Sequence, residues 1–126
     1  IEEQVVADIQ RLLGEDHPNT LTARANLAIS YQQAGRTSEA TEILEQVVAD
    51  RLRLQGEDHP NTLTARGNLA SSYWQAGRTS EAIEILEQVV ADRLRLQGED
   101  HPDTLTAVSG LEHWQAETAG PDPNQD

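Results

Sequence analysis

Sliding the chain along itself by 42 residues lays residues 1–42 onto 43–84 with only eight mismatches. They are Glu2/Leu44, Ile9/Arg51, Gln10/Leu52, Leu13/Gln55, Ala25/Gly67, Ile29/Ser71, Gln32/Trp74 and Thr41/Ile83. A third copy starts at Ile85, follows the second as far as Pro102 and drifts after Ala107. A unit repeated in tandem at this length is one supersecondary element that buries its apolar face by stacking on its neighbours. Any fold proposed for the chain has to use the same element again and again.

Each unit reads as two helices. In the middle copy Gly77 and Gly98 stand where helices end in a left-handed residue. Thr79 or Ser80 offers an N-cap, and Glu81 puts negative charge into the first turn. Ala82, Ile85, Leu86, Val89, Val90 and Leu94 then recur at helical spacing, which gives a stripe on a helix from about Ser80 to Leu96. The other helix starts at Asp58-His59-Pro60, because proline suits a first turn. Its inner face is Leu63, Leu69, Ala70, Tyr73 and Ala76. Short connections force neighbouring helices antiparallel. The expected architecture is all-α, with six helices near 1–13, 18–34, 38–55, 60–76, 80–97 and 102–117. The repeat domain is expected to span 1–117, and the tail 118–126, with Gly120, Pro121 and Pro123, to be disordered.

The spaced residues resemble the tetratricopeptide repeat. Asn68-Leu69-Ala70, Tyr73, Gly77, Ala82 and Leu86 match that family's packing positions, and Asn26-Leu27-Ala28, Tyr31, Gly35, Ala40 and Leu44 repeat them. The period exceeds the family's usual length, and the Gly-Glu-Asp-His-Pro turn followed by an Asn-Leu-Ala helix resembles the long repeats of kinesin light chain and of bacterial regulatory proteins. The family's early Trp is replaced by Arg24 and Arg66, and its Pro after the second helix is absent, with Leu52 and Leu94 continuing the stripe. The resemblance implies a right-handed α-solenoid of helix pairs. The first helix of each pair would line a concave face that binds peptides or partner proteins.

Composition narrows the function further. The net charge of −13 argues against nucleic acid and against anionic membrane surfaces as partners. No apolar run is long enough to span a bilayer. The lack of cysteine and of a secretion signal is the basis for expecting a cytoplasmic setting. No Met is present even at position 1, so the chain reads as a segment of something larger. His17, His59 and His101 recur once per unit between Asp and Pro, a context of helix initiation rather than metal ligation. Around Ser30, Ser72 and Ser80 the sequence shows no His or Lys in a nucleophile-activating context, and it contains no Gly-rich phosphate loop. No enzyme, cofactor or metal site is expected.

The copies differ where binding would be tuned. Positions 25/67, 29/71 and 32/74 are spaced i, i+4 and i+7, which places them on one face of the first-type helix. The candidate partner-binding residues on the concave face are Asn26, Ile29, Gln32, Gln33, Asn68, Ser71, Trp74 and Gln75. Asn26 and Asn68 could serve a ligand backbone or a neighbouring helix. Trp74 could anchor an apolar side chain or pack on the next repeat. At the ends, Glu2, Gln10, Glu112 and Gln115 resemble polar caps, whereas Ile9, Leu13 and Trp114 add apolar surface. Those three are the candidates for head-to-tail self-association into a homo-oligomer, the alternative function.

Overall fold

The computed structural model describes residues 2–119, with side chains from Glu3 onward. Six helices follow one another: α1 (Glu2–Leu13), α2 (Pro18–Gln33), α3 (Thr37–Gln55), α4 (Pro60–Gln75), α5 (Thr79–Gln97) and α6 (Pro102–Ala119). No strand occurs among the described residues. Each helix packs on its neighbours in sequence, as a stack of helix pairs requires. Helix α6 takes in Thr118 and Ala119, past its expected end, and the rest of the expected tail, 120–126, lies outside the described residues.

The first-type helices, α2, α4 and α6, begin on the His-Pro turn. His17 and His59 are themselves the N-caps, each ring Nδ1 accepting the backbone N–H of Asn19 or Asn61 at 3.0 Å. Thr62 and Thr104, fully buried, donate their hydroxyls at 3.4 Å to the carbonyls of Arg51 and Arg93, which ties each helix start to the helix before it. The second-type helices α3 and α5 differ from expectation at their starts. They begin at Thr37 and Thr79, with Arg36 and Arg78 as N-caps and no side-chain cap.

What fixes those turns is an arginine latch. Gly35 at φ +80° and Gly77 at φ +83° take the left-handed conformation, and the next N–H, of Arg36 or Arg78, bonds back to Tyr31 or Tyr73 O at 2.8 and 2.9 Å. The guanidinium then lies over that tyrosine ring, 4.2 and 4.0 Å from its centre. Arg36 Nε also reaches Glu39 at 2.8 Å, and Arg78 Nε reaches Glu81 at 2.9 Å. One side chain thereby joins the end of the first helix to the start of the second.

Ala28, Ala40 and Ala82, all wholly buried, let the helices approach closely and share a core with Leu44, Leu69 and Tyr73, and Ala70 is wholly buried too. Further along α3 and α5 the expected stripe fails. Leu52 and Leu94 are exposed by 40% and 43%, and it is Asp50, Arg51, Asp92 and Arg93 that are buried. Helical geometry explains the correction. Seven residues on from Leu86, Arg93 returns to within about 20° of the same face, while Leu94 swings about 80° off it. Ala76 also leaves the expected inner face, being an exposed C-cap.

The buried acids hold the second half of each hairpin together. Asp50 accepts from Arg24 at 2.9 Å and Asp92 from Arg66 at 3.0 Å, across the seam between paired helices. The i, i+3 contacts from the same acids to Arg53 and Arg95 are longer, at 3.4 Å. Burial alone pushes the Asp92 carboxyl up. Hydrogen bonds from Arg66, Arg95 and Gln88 outweigh it and hold the group below the usual carboxylate range. A depressed native pKa stabilises the fold above the unfolded value of about 4 and loses that contribution as pH falls through the native one. We therefore expect Asp92→Ala to cost about 2–3 kcal/mol, because it strands Arg66 in a poorly hydrated seam. Asp92→Asn should flatten the acid limb of stability below about pH 4. Urea unfolding at a series of pH values measures both.

Candidate partner-binding groove

Two hollows open between successive first-type helices, floored by the second-type helix beneath. The first, about 220 Å³, is formed by Thr22, Ala25, Asn26 and Ile29 of α2, Val47 and Arg51 of α3, and Asn61, Thr64, Ala65 and Asn68 of α4. The second, about 380 Å³, is the same arrangement one period on. It uses Thr64, Gly67, Asn68 and Ser71 of α4, Val89 and Arg93 of α5, and Asp103, Thr106, Ala107 and Gly110 of α6, with Leu63, Leu86 and Trp114 added. Four equivalent positions differ: Ala25/Gly67, Ile29/Ser71, Asn61/Asp103 and Asn68/Gly110. Three of those changes remove side-chain volume, and the second hollow also extends further, to Leu63, Leu86 and Trp114.

The floors differ in charge balance. Arg51 and Arg93 are both buried, at 5% and 6% exposure. Arg51 donates to Thr22 Oγ1 at 3.1 Å and Gln55 Oε1 at 3.3 Å, and no carboxylate among the described residues pairs with it. Burial pushes its guanidinium below the ordinary arginine value. Arg93 makes the matching contacts to Thr64 at 3.1 Å and Gln97 at 3.4 Å, and also faces Asp103 Oδ2 at 3.6 Å. One substitution, aspartate in place of asparagine, supplies the second floor with a counter-charge that the first lacks.

The expected residues divide sharply. Asn26 and Ile29 line the first hollow, Ser71 the second, and Asn68 both. Neither Asn26 nor Asn68 has a side-chain hydrogen bond among the described residues, so the alternative role of bonding a neighbouring helix is not realised. Gln33 and Gln75 are exposed beyond the hollows. Gln32 lines neither, and its Nε2 is buried without a hydrogen-bond partner among the described residues. Trp74 takes the second of its two expected roles and packs on the next repeat: it stacks on Trp114, with ring centres 4.9 Å apart and planes 4° from parallel, against the core. Of this pair Trp114 lines the second hollow and Trp74 does not. Ile9 and Leu13 sit on α1, away from α6.

Sequence reading missed Arg51, Arg93, Asp103 and Gly110. The Ile9/Arg51 mismatch reads as an edit of the first helix rather than as a groove position, and the differences at 61/103 and 68/110 fall in the third copy, outside the eight mismatches compared. Among the described residues no group of three His, Asp or Glu side chains could hold a metal, and no helix is long and apolar enough to cross a membrane.

A stack of antiparallel helix pairs with a groove repeating along the first helices defines an α-solenoid repeat protein. A model of the tetratricopeptide repeat matches residues 20–61 and 62–103, two thirds of the chain, and the chain belongs to that family. Among solved structures it is similar to a kinesin-light-chain-type protein of Podosopora anserina with nearly identical TPR-like repeats. The identity is 38% with a TM-score of 0.84, over 90% of this chain and 54% of the other. A single-substitution variant of that protein gives 37% and 0.83, over 90% and 53%. BtubC (BKLC) from P. vanneervenii shares the fold at 18% identity and a TM-score of 0.72, over 99% and 58%. This chain thus spans about half the length of the Podosopora proteins. No curated protein sequence matches it.

Parallel stacking of two indoles contributes beyond the area they bury, by about 0.5–1.5 kcal/mol. A double-mutant cycle of Trp74→Ala and Trp114→Ala should return a coupling of about 1 kcal/mol between α4 and α6. Additive effects within about 0.3 kcal/mol would show that the rings merely lie near each other.

Proposed function

We propose that the chain is a non-catalytic protein-interaction module that holds an extended segment of a partner protein along the concave side lined by α2, α4 and α6. The observation that carries this reading is the pair of unbonded amides, Asn26 and Asn68, set one period apart on the walls of equivalent hollows. An amide offers two donors and an acceptor, the complement of a peptide unit. Repetition at the solenoid's own period lets an extended chain meet the same groups in successive hollows. Arg51 supports the reading from the floor, because a buried guanidinium without a carboxylate is stabilised by an acidic side chain brought by the partner.

Decapeptides selected against the chain from a displayed library test it by fluorescence polarisation. Asn26→Ala with Asn68→Ala should weaken selected peptides roughly tenfold or more, each lost hydrogen bond costing about 1 kcal/mol. Arg51→Gln should remove the preference for acidic peptides and leave the helical content intact. Unchanged affinities in both variants would remove the groove from the account.

The second reading is end-to-end association. Val5 and Leu105 are exposed by 48% and 54%, whereas their equivalents Val47 and Leu63 are buried at 1%. A second copy stacked head to tail would cover both faces. Ile9 and Leu13 belong with Val5 on α1, and Trp114 drops out because it is engaged within the chain. Sedimentation velocity over a concentration series should show the weight-average mass rising, and Val5→Glu or Leu105→Glu should return it to the monomer.

A further inference from the structure

Two glycines in the α4/α6 hollow have no structural reason to be glycine. Gly67 and Gly110 lie inside helices without positive φ, where glycine is unfavourable relative to alanine. A Cβ built on Gly67 meets nothing within 4 Å, and one on Gly110 meets only Leu86 Cδ2, at an ordinary contact of 3.6 Å. Close helix packing therefore explains neither. Together with Ser71 in place of the isoleucine at Ile29, they remove side-chain volume from a hollow of about 380 Å³ that also reaches Leu63, Leu86 and Trp114; its twin measures about 220 Å³.

The geometry points to a side-chain specificity pocket in the α4/α6 hollow that accepts a bulky, uncharged aromatic group of the bound segment and rejects an acidic one. This rests on the groove reading and assigns the two hollows different tasks. The wall is Trp114, fixed in orientation by its parallel stack on Trp74, and an aromatic ring set against an indole gains more than its buried area. The remaining apolar side chains of the lining are Leu63, Leu86, Val89 and Ala107. At the polar end Asp103 already answers Arg93, so the floor has no charge to offer an incoming carboxylate and would repel one. The α2/α4 hollow is the internal control, with Ala25 and Ile29 filling the space and Asn61 leaving Arg51 unanswered.

The two tryptophans are the chain's only ones, so two indole N–H signals appear in ¹⁵N-correlated NMR spectra, and that of Trp114 reports on this hollow. Titration with N-acetyl-phenylalaninamide should move the Trp114 signal and the Gly67 and Gly110 amides saturably. N-acetyl-alaninamide and N-acetyl-glutamate amide should not. Gly67→Ala with Ser71→Ile restores the residues of the first copy. It should raise Tm by removing a mid-helix glycine, yet weaken the aromatic probe at least tenfold. Asp103→Asn should leave that probe unaffected and admit the glutamate probe. The assignment is overturned by no saturable shift up to the probe's solubility, by equal binding of the alanine or glutamate probe to the unaltered chain, or by full binding to the double variant. The decapeptide library separates the two levels. Selected peptides that shift Asn26 and Asn68 but carry no aromatic residue overturn this pocket and leave the groove standing. A library that shifts neither asparagine removes both.

Discussion

The carboxylate of Asp50, gripped by Arg24 across the α2–α3 seam, sets the rotation of α3 about its own axis, and Asp92 with Arg66 does the same for α5. With the acid turned inward, the next residue along each helix, Arg51 or Arg93, is turned beneath the groove, where it meets Thr22 or Thr64. The apolar seam at Ala28, Ala40 and Leu44 brings the helices together and has no such directionality. A buried ion pair need not add net stability over an apolar substitute, and its best-attested use is to fix register. Here it fixes which side chain becomes the groove floor.

This division of labour explains what could be read from the sequence. Helix number and pairing were legible because the 42-residue repeat, the His-Pro starts and the glycine stops are local signals repeated in each copy. The core at Leu44, Leu69, Ala70 and Leu86 followed from periodicity. Leu52 and Leu94 were misplaced because apolar character was followed in preference to helical phase, and the long stems of Arg51 and Arg93 can line a core position while their head groups find polar partners. The sites were only half legible. Equivalence of positions 29 and 71 marks a variable face, but it cannot show that Trp74 spends one ring face on Trp114, a contact between repeats that no internal comparison contains.

The edits also occur in sets. Thr41 and Ser72 share a buried hydrogen bond of 2.8 Å between α3 and α4, and one period on the same two positions are Ile83 and Trp114. A polar pair has been exchanged for an apolar pair, with neither hydroxyl left alone. Gln32 shows the cost of incomplete exchange: it occupies the position of Trp74 and leaves its amide nitrogen buried without a hydrogen bond among the described residues. The α4/α6 junction is thus a coordinated variant of the α2/α4 junction, altered at the stacked rings, in the hollow and in the floor together.

Electrostatics gives the groove a character that net charge hides. The chain carries 22 acidic against 9 basic residues, so an acidic partner is repelled at distances beyond the nearest side chains. At contact, the field under the first hollow is dominated by Arg51, close by and poorly hydrated, where screening by water is weak. The two effects respond oppositely to salt. Long-range repulsion fades as the Debye length shrinks, to about 8 Å at physiological ionic strength, while a contact made inside the hollow is screened much less. On the proposed reading, encounter with an acidic segment would be slowed by the net charge and quickened by salt, and its retention would rest on the one buried arginine that the α2/α4 junction leaves without a counter-charge among the described residues.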